Sequence, residues 1–430
     1  MNTILIIYPH WHPANLAGVH RPRLIGNYLK ALGWRPRVLT VNERYFEEEP
    51  DPDFYKTFSE DFEVTRVKAL KVGRPRIFGD IGLRAFWFLY KKALFIIQKE
   101  RIDFVWLPIP SFYNALLGRL LFEKTKIPYG IDYIDPWVRD ITNQNNFRAK
   151  ISQTLARILE PIALKKVSVI SGVSTPYYEA AIGRNFPEFY KKGILQATTY
   201  NRHTGKKITH VAMPYGFDPN DHKVQLETLV SPWENATNKK IWIYAGAFLP
   251  NSHFLLDVFF ESISDLRKEG QWDESIELWF IGTGMYSAKR IGAYAKDHFL
   301  QDVVFEIRER FPFLQVLNFL SRANTVMIIG STEKHYTASK TFQALYSGRP
   351  ILSVFHEESS ALEILEQCNA ALFNVKFNPN KSRTSLVKDF KRAILARLRG
   401  DSWSPNYSPL QKYSAKVSAT ALVLAIEEIL

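Results

Sequence analysis

Lys340 is a residue whose type and position suggest anion binding. It follows an apolar run at 325–329, which predicts a strand buried on both faces, and a polar loop that contains Thr337 and Ser339. The start of a helix already carries about half a positive charge, so a lysine there is unfavourable unless an anion binds. On this feature alone, a lysine that reaches into solvent is an equally good interpretation, because the penalty is only about 0.3–1 kcal/mol.

The segments around Lys340 predict one turn of a doubly wound α/β sheet. Residues 339–346 have apolar side chains at helical spacing, Gly348 and Pro350 end that helix, and 351–355 predict a second strand. In such sheets, ligands bind beyond the carboxyl ends of the strands. The loop before Lys340 is therefore the first place to expect a binding site.

The run SKTFQALYSGRPIL at 339–352 resembles the donor-site signature of GT-B glycosyltransferases, particularly the large retaining group called family 4. The resemblance implies a GT-B fold, in which two Rossmann-like doubly wound domains face a central cleft. It assigns Lys340 to the diphosphate of a nucleotide sugar and Gln343 to the ribose, with Ser339 beside them. Where the family has two glutamates, this chain has His335 and Gln343, and the loss of charge-assisted bonds predicts weaker donor binding.

Two further positions of the second half are candidates for donor binding. Gly284 belongs to a Gly-x-Gly sequence after a predicted strand at 276–281, where glycines permit close backbone contact with a nucleotide. Glu358 precedes a predicted helix whose free N–H groups could serve phosphate or sugar. The simpler interpretation of Glu358 is a first-turn helix residue.

The loop at 246–253 departs from the family, whose members usually place an arginine and a lysine there. The resemblance then implies that His253 and Lys340 carry more of the diphosphate charge, helped by Lys334 or Arg21.

The first half offers candidates for the acceptor site. The sequence DYIDPW at 132–137 is similar to the Asp-x-x-Asp-x-Trp segment of family 4 N-terminal domains, and Asp135 could orient or deprotonate an acceptor hydroxyl. A turn cap before Pro136 is an equally good interpretation of Asp135. In the loop after the first strand, His12 is a candidate base, as is His10. Gly18 would allow close approach of a ligand to the backbone, and it is a candidate for donor binding as well as a neighbour of the acceptor. Structural roles are the alternative for all three.

The chain length of 430 residues suits two domains of ordinary size. Alternating strand and helix patterns predict an N-terminal acceptor domain at 1–225 and a C-terminal donor domain at 239–408. A polar, irregular stretch at 226–238 predicts the linker. The last segment, 409–430, resembles the helix that in GT-B enzymes returns to the first domain.

The composition limits the partners. A net charge of +13 fits anionic ligands, but no nucleic-acid-binding module is recognisable. The single cysteine, Cys368, and a first strand without a signal-peptide pattern predict a cytoplasmic protein. Residues 85–98 combine aromatic side chains with Lys91 and Lys92, so this segment could lie at the inner face of a membrane, although a buried helix is favoured.

The leading hypothesis is a transferase that moves a sugar from a nucleotide-diphosphate donor to a hydroxyl of a glycan or lipid-linked acceptor, in polysaccharide or glycoconjugate biosynthesis. Nothing in the sequence suggests a metal or a cofactor besides the nucleotide sugar, and the resemblance implies retention at the anomeric carbon. A sugar-nucleotide epimerase that uses His335 and Glu358 is one alternative. A non-catalytic GT-B binding protein is the other, because His335 and Gln343 replace acids.

Overall fold

The computed structural model describes residues 1–72, 79–139, 147–284, 286, 289–334 and 340–430. The strands are β1 Asn2–Ile7, β2 Trp34–Val41, β3 Glu63–Val67, β4 Phe104–Ile109, β5 Tyr129–Tyr133, β6 Val169–Gly172, β7 Tyr190–Lys191, β8 Ile194–Leu195, β9 Thr198–Tyr200, β10 Lys207–Ala212, β11 Lys240–Ala245, β12 Ile276–Ile281, β13 Val304–Ile307, β14 Thr325–Ile329, β15 Ile351–His356 and β16 Phe373–Phe377. The helices are α1 Ala17–Gly26, α2 Ile81–Lys99, α3 Ala115–Thr125, α4 Phe147–Leu164, α5 Thr175–Asn185, α6 His253–Lys268, α7 Ile291–Asp297, α8 Phe313–Arg322, α9 Lys340–Tyr346, α10 Ser360–Gln367, α11 Arg383–Arg399 and α12 Ala415–Glu427.

The chain forms two compact units. The first unit comprises Met1–Asp218 together with Tyr413–Leu430, and the second comprises Pro219–Lys412. The stretch predicted as a linker lies within the second unit. There Leu226 is buried against α8, and its backbone N–H donates to the Asn318 side chain at 3.1 Å.

The first unit is built on an eight-stranded sheet in the order β3-β2-β1-β4-β5-β6-β10-β9, parallel except for the antiparallel pairing of β9 with β10. Its central strand β1 has the side chains of residues 4–7 fully buried, as expected for a parallel strand covered on both faces. Helix α3 packs between α2 and α4, and α1 packs with α12. The strand order reverses between β1 and β4.

Helix α12 is the last element of the first unit and covers α1, β6 and β10. Ser414 caps its first turn by accepting a hydrogen bond from the backbone N–H of Val417. The Ser418 hydroxyl donates to the carbonyl of Pro214 at 2.9 Å. The end of the chain is thus tied to the residues that follow β10.

The second unit has a six-stranded parallel sheet in the order β13-β12-β11-β14-β15-β16, which reverses between β11 and β14. Its core is formed by the buried residues of β11, β12, α6 and α11. Two doubly wound α/β units are therefore present, as the sequence predicts. The loops that follow β11 and β14 meet at the point of reversal, where ligands bind in sheets of this type.

The bounds of the first helix differ from those that the sequence indicates. Apolar residues at helical spacing in 21–32 predict a helix closed by Gly33, whereas α1 begins at Ala17 and ends at Gly26, with Pro22 inside it. The segment at 339–346 forms α9 from Lys340 to Tyr346, close to its prediction. Among the described residues, no helix combines the length and the apolar character needed to cross a membrane.

Candidate functional site

Lys340 lies at the point of strand reversal in the second unit. Its ammonium nitrogen donates to the Tyr244 hydroxyl and to the carbonyl oxygen of Ala247, both at 2.8 Å. Tyr244 is on β11 and donates to the same Ala247 carbonyl at 2.9 Å. The lysine of α9 is therefore held against the strand and loop on the other side of the reversal point.

Burial lowers the pKa of Lys340 to about 7. Among the residues that the structure describes, no carboxylate forms an ion pair with this ammonium, and its hydrogen-bond partners are neutral oxygens. A bound anion would favour the charged form and raise the pKa again. Within the described ranges, no carboxylate neutralises Lys340, so its ammonium form is available to an anionic ligand.

Gly246 makes room for the Lys340 side chain. Its φ of 113° is one that side chains rarely allow, and a Cβ atom built there would lie 2.7 Å from Cε of Lys340. The loop after β11, residues 246–252, contains no cation of its own. It supplies instead the space and the carbonyl that position the lysine of α9.

Gly284 follows β12 at the same edge of the sheet. Its φ is 83°, and a Cβ built there would have no described atom within 4 Å, so the space beside its Cα is open, while its N–H donates to the Arg308 carbonyl at 3.0 Å. The loop is held by Arg308, whose Nε donates to the Gly284 carbonyl at 3.0 Å and whose guanidinium lies 4.9 Å from the centre of the Tyr286 ring. Arg308 follows β13 and is a cation that the sequence analysis missed, because it lies far from the donor-site motif in sequence.

The remaining donor-binding candidates of the second unit have different environments. Gln343 lies one turn after Lys340 on α9, and its side chain makes no hydrogen bond to a described residue. Glu358 forms an ion pair with Lys334, with oxygen–nitrogen distances of 2.7 and 2.9 Å. His335 and Ser339 lie outside the described residues.

Two of the expected helpers of Lys340 are engaged elsewhere. Lys334 is paired with Glu358, and Arg21 is fully buried in the first unit. His253 is packed among the rings of Phe248, Tyr286 and Tyr294, and burial lowers its pKa. These aromatic surroundings disfavour the imidazolium in the ligand-free protein, and a contribution of His253 to the diphosphate site stays a prediction.

In the first unit, the segment DYIDPW contains two carboxylates, Asp132 and Asp135, that lie in different environments. Asp132 is buried and accepts two hydrogen bonds from the Arg21 guanidinium, at 2.9 and 3.1 Å, and one from the Ser171 hydroxyl at 2.8 Å. Asp135 is about half exposed, and its Oδ1 is 3.7 Å from the Arg139 guanidinium. Asp132 thus joins α1 to the sheet, whereas Asp135 is accessible for chemistry.

A cluster of ionisable side chains lies where β1 ends. His10 is 3.5 Å from Glu48, and its hydrogen bond lowers the pKa of that carboxyl to about 2. Asp80 caps the start of α2 by accepting from the backbone N–H of Leu83, and burial raises its pKa. Burial likewise raises the pKa of Tyr8. The cluster combines a partly buried acid with a histidine paired to a carboxylate, a pattern common at functional sites.

His12 and Gly18 both lie between His10 and Glu48 in the sequence. The His12 ring packs edge-on against Tyr55 and Phe58, and its Nε2 is 3.3 Å from the Pro52 carbonyl oxygen. Gly18 is inside α1, and a Cβ built there would be only 1.8 Å from the Tyr8 hydroxyl oxygen. The close approach that Gly18 allows in this structure is that of Tyr8.

No family model matches the sequence, and a search of curated proteins finds no match. Solved structures do match over the whole chain. HepE from Anabaena in complex with UDP and glucose is 14% identical, with a TM-score of 0.52 over 96% of that chain. A glycosyltransferase from Rickettsia africae is 14% identical, with a TM-score of 0.54 over 98% of its chain. A UDP-forming α,α-trehalose-phosphate synthase from Burkholderia xenovorans is 11% identical, with a TM-score of 0.55 over 99% of its chain.

At these identities the likeness establishes the fold. The chain has the GT-B fold, and the prediction of that fold class is confirmed. Membership of family 4 stays a prediction.

Proposed function

We propose that this chain is a GT-B glycosyltransferase that moves a sugar from a nucleoside-diphosphate donor to an acceptor hydroxyl. The observation that carries the proposal is Lys340, a partly buried cation at the strand reversal of the second unit, held by neutral oxygens. A phosphate bound there meets an ammonium whose charge is not neutralised by a described carboxylate. Ligands of doubly wound sheets bind at this position.

The diphosphate leaving group explains why such a cation would accelerate transfer. As the glycosidic bond breaks, negative charge grows on the diphosphate, so a cation fixed beside it stabilises the transition state more than the ground state. In the proposed site Lys340 binds the diphosphate and Gln343 binds the ribose. The nucleotide passes close to Gly284, which has no side chain to block it. Ser339, His335 and Glu358 complete the donor site in the proposal, with no metal ion or further cofactor.

The acceptor hydroxyl is proposed to bind the first unit near the end of β1. Asp135 is the proposed group that orients the hydroxyl or accepts its proton, because it is the accessible carboxylate of the DYIDPW segment. Gly18 and His12 belong to the same proposed region, and His10, paired with Glu48, is the alternative base. Membership of family 4, retention at the anomeric carbon, a cytoplasmic location and a glycan or lipid-linked acceptor are parts of the same proposal.

The similar structures support the choice of donor. HepE has been solved with UDP and glucose and with UDP-glucose. Those ligands belong to HepE, and they make UDP-sugars the first donors to test with this chain. UDP is accordingly one of five nucleotides in the experiment that follows.

A thermal-shift screen tests the donor site directly. Purified wild type, Lys340→Ala and the control Lys388→Ala, which changes an exposed lysine of α11, are heated with UDP, GDP, ADP, TDP or CMP. A nucleotide present at about 100 times its dissociation constant stabilises the protein by roughly 2.7 kcal/mol. We expect one diphosphate to stabilise wild type and Lys388→Ala but not Lys340→Ala. If no diphosphate stabilises wild type, the proposed donor site is wrong.

A second step separates transfer from the other activities of this fold. The sugar nucleotide of the nucleoside that binds is incubated with the protein, and the products are analysed by mass spectrometry and NMR. Release of the nucleoside diphosphate with a new glycoside supports the proposal. A changed sugar stereocentre would make the protein an epimerase, and binding without any product would make it a non-catalytic binding protein.

A further inference from the structure

Helix α4 presents an apolar stripe to solvent. Ile151, Leu155, Ile158 and Ile162 recur at a spacing of three or four residues, so they lie along one face of the helix. All four are exposed, and Ile158 has 55% of its surface accessible. The opposite face, with Ala156 and the end of the helix at Leu164, is buried. The stripe is thus an apolar face that the described residues of the first unit leave exposed.

Cations flank the stripe, and no acid accompanies them on the exposed side. Lys150, Arg157 and Lys165 are exposed beside it, and none forms an ion pair in the described part of the chain. The acidic residue within α4 is Glu160, which is buried and paired with Arg184 at 2.7 Å. The exposed side of α4 is therefore apolar along its centre and positive along its edge.

A cavity of about 240 Å³ adjoins the end of the stripe. Its lining includes Ile162 and four basic side chains, Arg119, Lys165, Arg202 and His203. Burial, and then the charges of Lys165 and Arg202, lower the pKa of His203. Arg119 also bonds Glu123 at 3.0 Å, so one of its contacts is already to an acid. The cavity is a cationic pocket next to an apolar surface.

Helix α2 repeats this pattern on the other side of α3. Trp87, Phe88 and Phe95 are exposed, with 63% of Trp87 accessible. Lys92 lies 4.4 Å from the centre of the Phe95 ring, and Ile81–Lys99 contains no acidic residue. Two helices that flank α3 therefore both expose apolar side chains mixed with lysines.

We propose that the α2–α4 face, defined as the exposed side chains of α2 and α4 with the cationic pocket, docks on an anionic lipid bilayer. The apolar side chains would enter the boundary between headgroups and acyl chains, as in interfacial amphipathic helices. The lysines and arginines would meet the lipid phosphates, and one headgroup phosphate would occupy the pocket lined by Arg119, Lys165 and Arg202. This inference is independent of sugar transfer, because vesicle binding needs neither donor nor acceptor.

Charge decides between a bilayer and a second copy of the chain as the occupant. Two copies that met through this face would bring Lys150, Arg157 and Lys165 close to their own equivalents, with no exposed acid on α2 or α4 to neutralise them. Like charges brought together in an interface are unfavourable. An anionic bilayer accepts both the apolar stripe and the cations.

Vesicle co-sedimentation tests the proposal with the full-length protein. Wild type is mixed with vesicles of phosphatidylcholine alone or of phosphatidylcholine and phosphatidylglycerol in equal parts. The stripe variant carries Ile151→Ser, Leu155→Ser and Ile158→Ser, and the charge variant carries Lys150→Glu, Arg157→Glu and Lys165→Glu. The controls make the same changes at exposed residues elsewhere: Ile194→Ser with Leu372→Ser and Leu424→Ser, and Lys268→Glu with Lys388→Glu and Arg392→Glu.

We expect wild type and both controls to bind the anionic vesicles and not the neutral ones. Each basic residue near an anionic surface contributes about fivefold to partitioning, so loss of three positive charges alone should weaken binding on the order of 100-fold, and their reversal by glutamate should weaken it further. The stripe variant should lose at least about tenfold. Circular dichroism and the nucleotide thermal shift check that each variant is folded.

Three results would overturn the proposal. The first is no binding of wild type to anionic vesicles, and the second is equal loss in a control and its matched variant. The third is a dimer in sedimentation equilibrium that the stripe variant abolishes while vesicle binding is absent, which would make a second copy the occupant. A fluorophore at Ile158→Cys in a Cys368→Ser background reports the contact directly, because the chain has one native cysteine. Its emission should shift to the blue on anionic vesicles, and a label at Ile194→Cys should not.

Discussion

The ammonium nitrogen of Lys340 lies 2.8 Å from the Tyr244 hydroxyl oxygen and 4.4 Å from the centre of the same ring. Tyrosine thus holds the cation through a hydrogen bond and the ring face without cancelling its charge. A carboxylate at that position would hold the lysine as well but would compete with any bound phosphate. The pair fixes the position of the ammonium and leaves its charge for a ligand.

The lowered pKa of Lys340 predicts how nucleotide binding depends on pH. Only the ammonium form attracts a diphosphate, and this form is lost as the pH rises through about 7. We therefore expect the affinity for the nucleoside diphosphate to fall by about tenfold per pH unit above that point. Isothermal titration calorimetry between pH 6 and 9 measures this affinity. Lys340→Arg is the control, because arginine stays charged throughout this range, and an equal slope in that variant would contradict the assignment.

The same lowered pKa predicts that the free energy of unfolding of the ligand-free protein rises with pH, whereas the nucleotide affinity falls. The charged form of Lys340 is less favourable in the folded chain than in the unfolded one. Its cost to stability is therefore complete below about pH 7 and disappears as the pH rises toward the ordinary pKa of 10.5. We expect Lys340→Met to remove this rise of the unfolding free energy with pH, as followed by urea denaturation. Lys388→Met should keep it.

Gly246 should tolerate no side chain. In Gly246→Ala the new methyl group would meet Cε of Lys340 at 2.7 Å, at a φ of 113°. We expect the melting temperature to fall, with a strain of about 1–3 kcal/mol, and nucleotide stabilisation to be lost. Gly270→Ala is the control, because Gly270 also has a positive φ, 68°, but has nothing within 4 Å of the Cβ position. That variant should keep nucleotide binding.

The buried ion pair of the first unit should be sensitive to the loss of one partner. Asp132→Asn leaves the Arg21 guanidinium buried without its carboxylate, which typically costs about 3–5 kcal/mol. Urea denaturation of the two proteins measures the difference. Asp53→Asn breaks the more exposed pair with Lys56 in the same unit and should cost less than about 1 kcal/mol. Similar losses of unfolding free energy in the two variants would show that burial does not make the Asp132 pair more important for stability than an exposed pair.

Asp135 should matter for turnover but not for binding of the nucleotide. If it accepts the acceptor proton, Asp135→Asn lowers kcat by about 10²- to 10⁴-fold, while the thermal shift with the diphosphate is unchanged. Release of nucleoside diphosphate from the sugar donor measures kcat. Glu60→Gln, which changes an exposed acid of the same unit, serves as the control. If Asp135→Asn keeps full activity and His10→Gln loses it, the base is His10 and not Asp135.

The sequence predicts the elements around the donor site well. The strand at 325–329, the helix that begins near Lys340 and the strand at 351–355 correspond to β14, α9 and β15. These segments are strongly periodic or wholly apolar and are bounded by Gly348 and Pro350, so local physics determines them. Their order, strand then loop then helix, also predicts that the loop lies at the ligand-binding edge.

The partners of the site residues could not be predicted in the same way. Lys340 is held by Tyr244, which is 96 residues earlier in the chain, and Asp132 by Arg21, which is 111 residues earlier. No periodicity connects such positions, because the pairing follows from the order of strands in the sheet. Arg308 was missed for this reason. The aromatic surroundings of His253 could not be predicted either, because Phe248, Tyr286 and Tyr294 come from three separate segments of the chain.

The exposed stripe of α4 was missed for a related reason. An apolar face at helical spacing predicts an amphipathic helix, and the usual inference is that this face points to the core. In the first unit α4 buries the face with Ala156 and Glu160 and leaves Ile151 and Ile158 in solvent. Which face is covered depends on the neighbouring helix and not on the pattern itself.

Helix α12 has a consequence for how the protein is made. The first unit needs residues 413–430 to cover α1, but the ribosome synthesises all of Pro219–Lys412 before it reaches them. During that time the apolar surface of α1 that faces α12 has no partner, while the second unit is already continuous and complete. We therefore expect the second unit to finish folding before the first unit does.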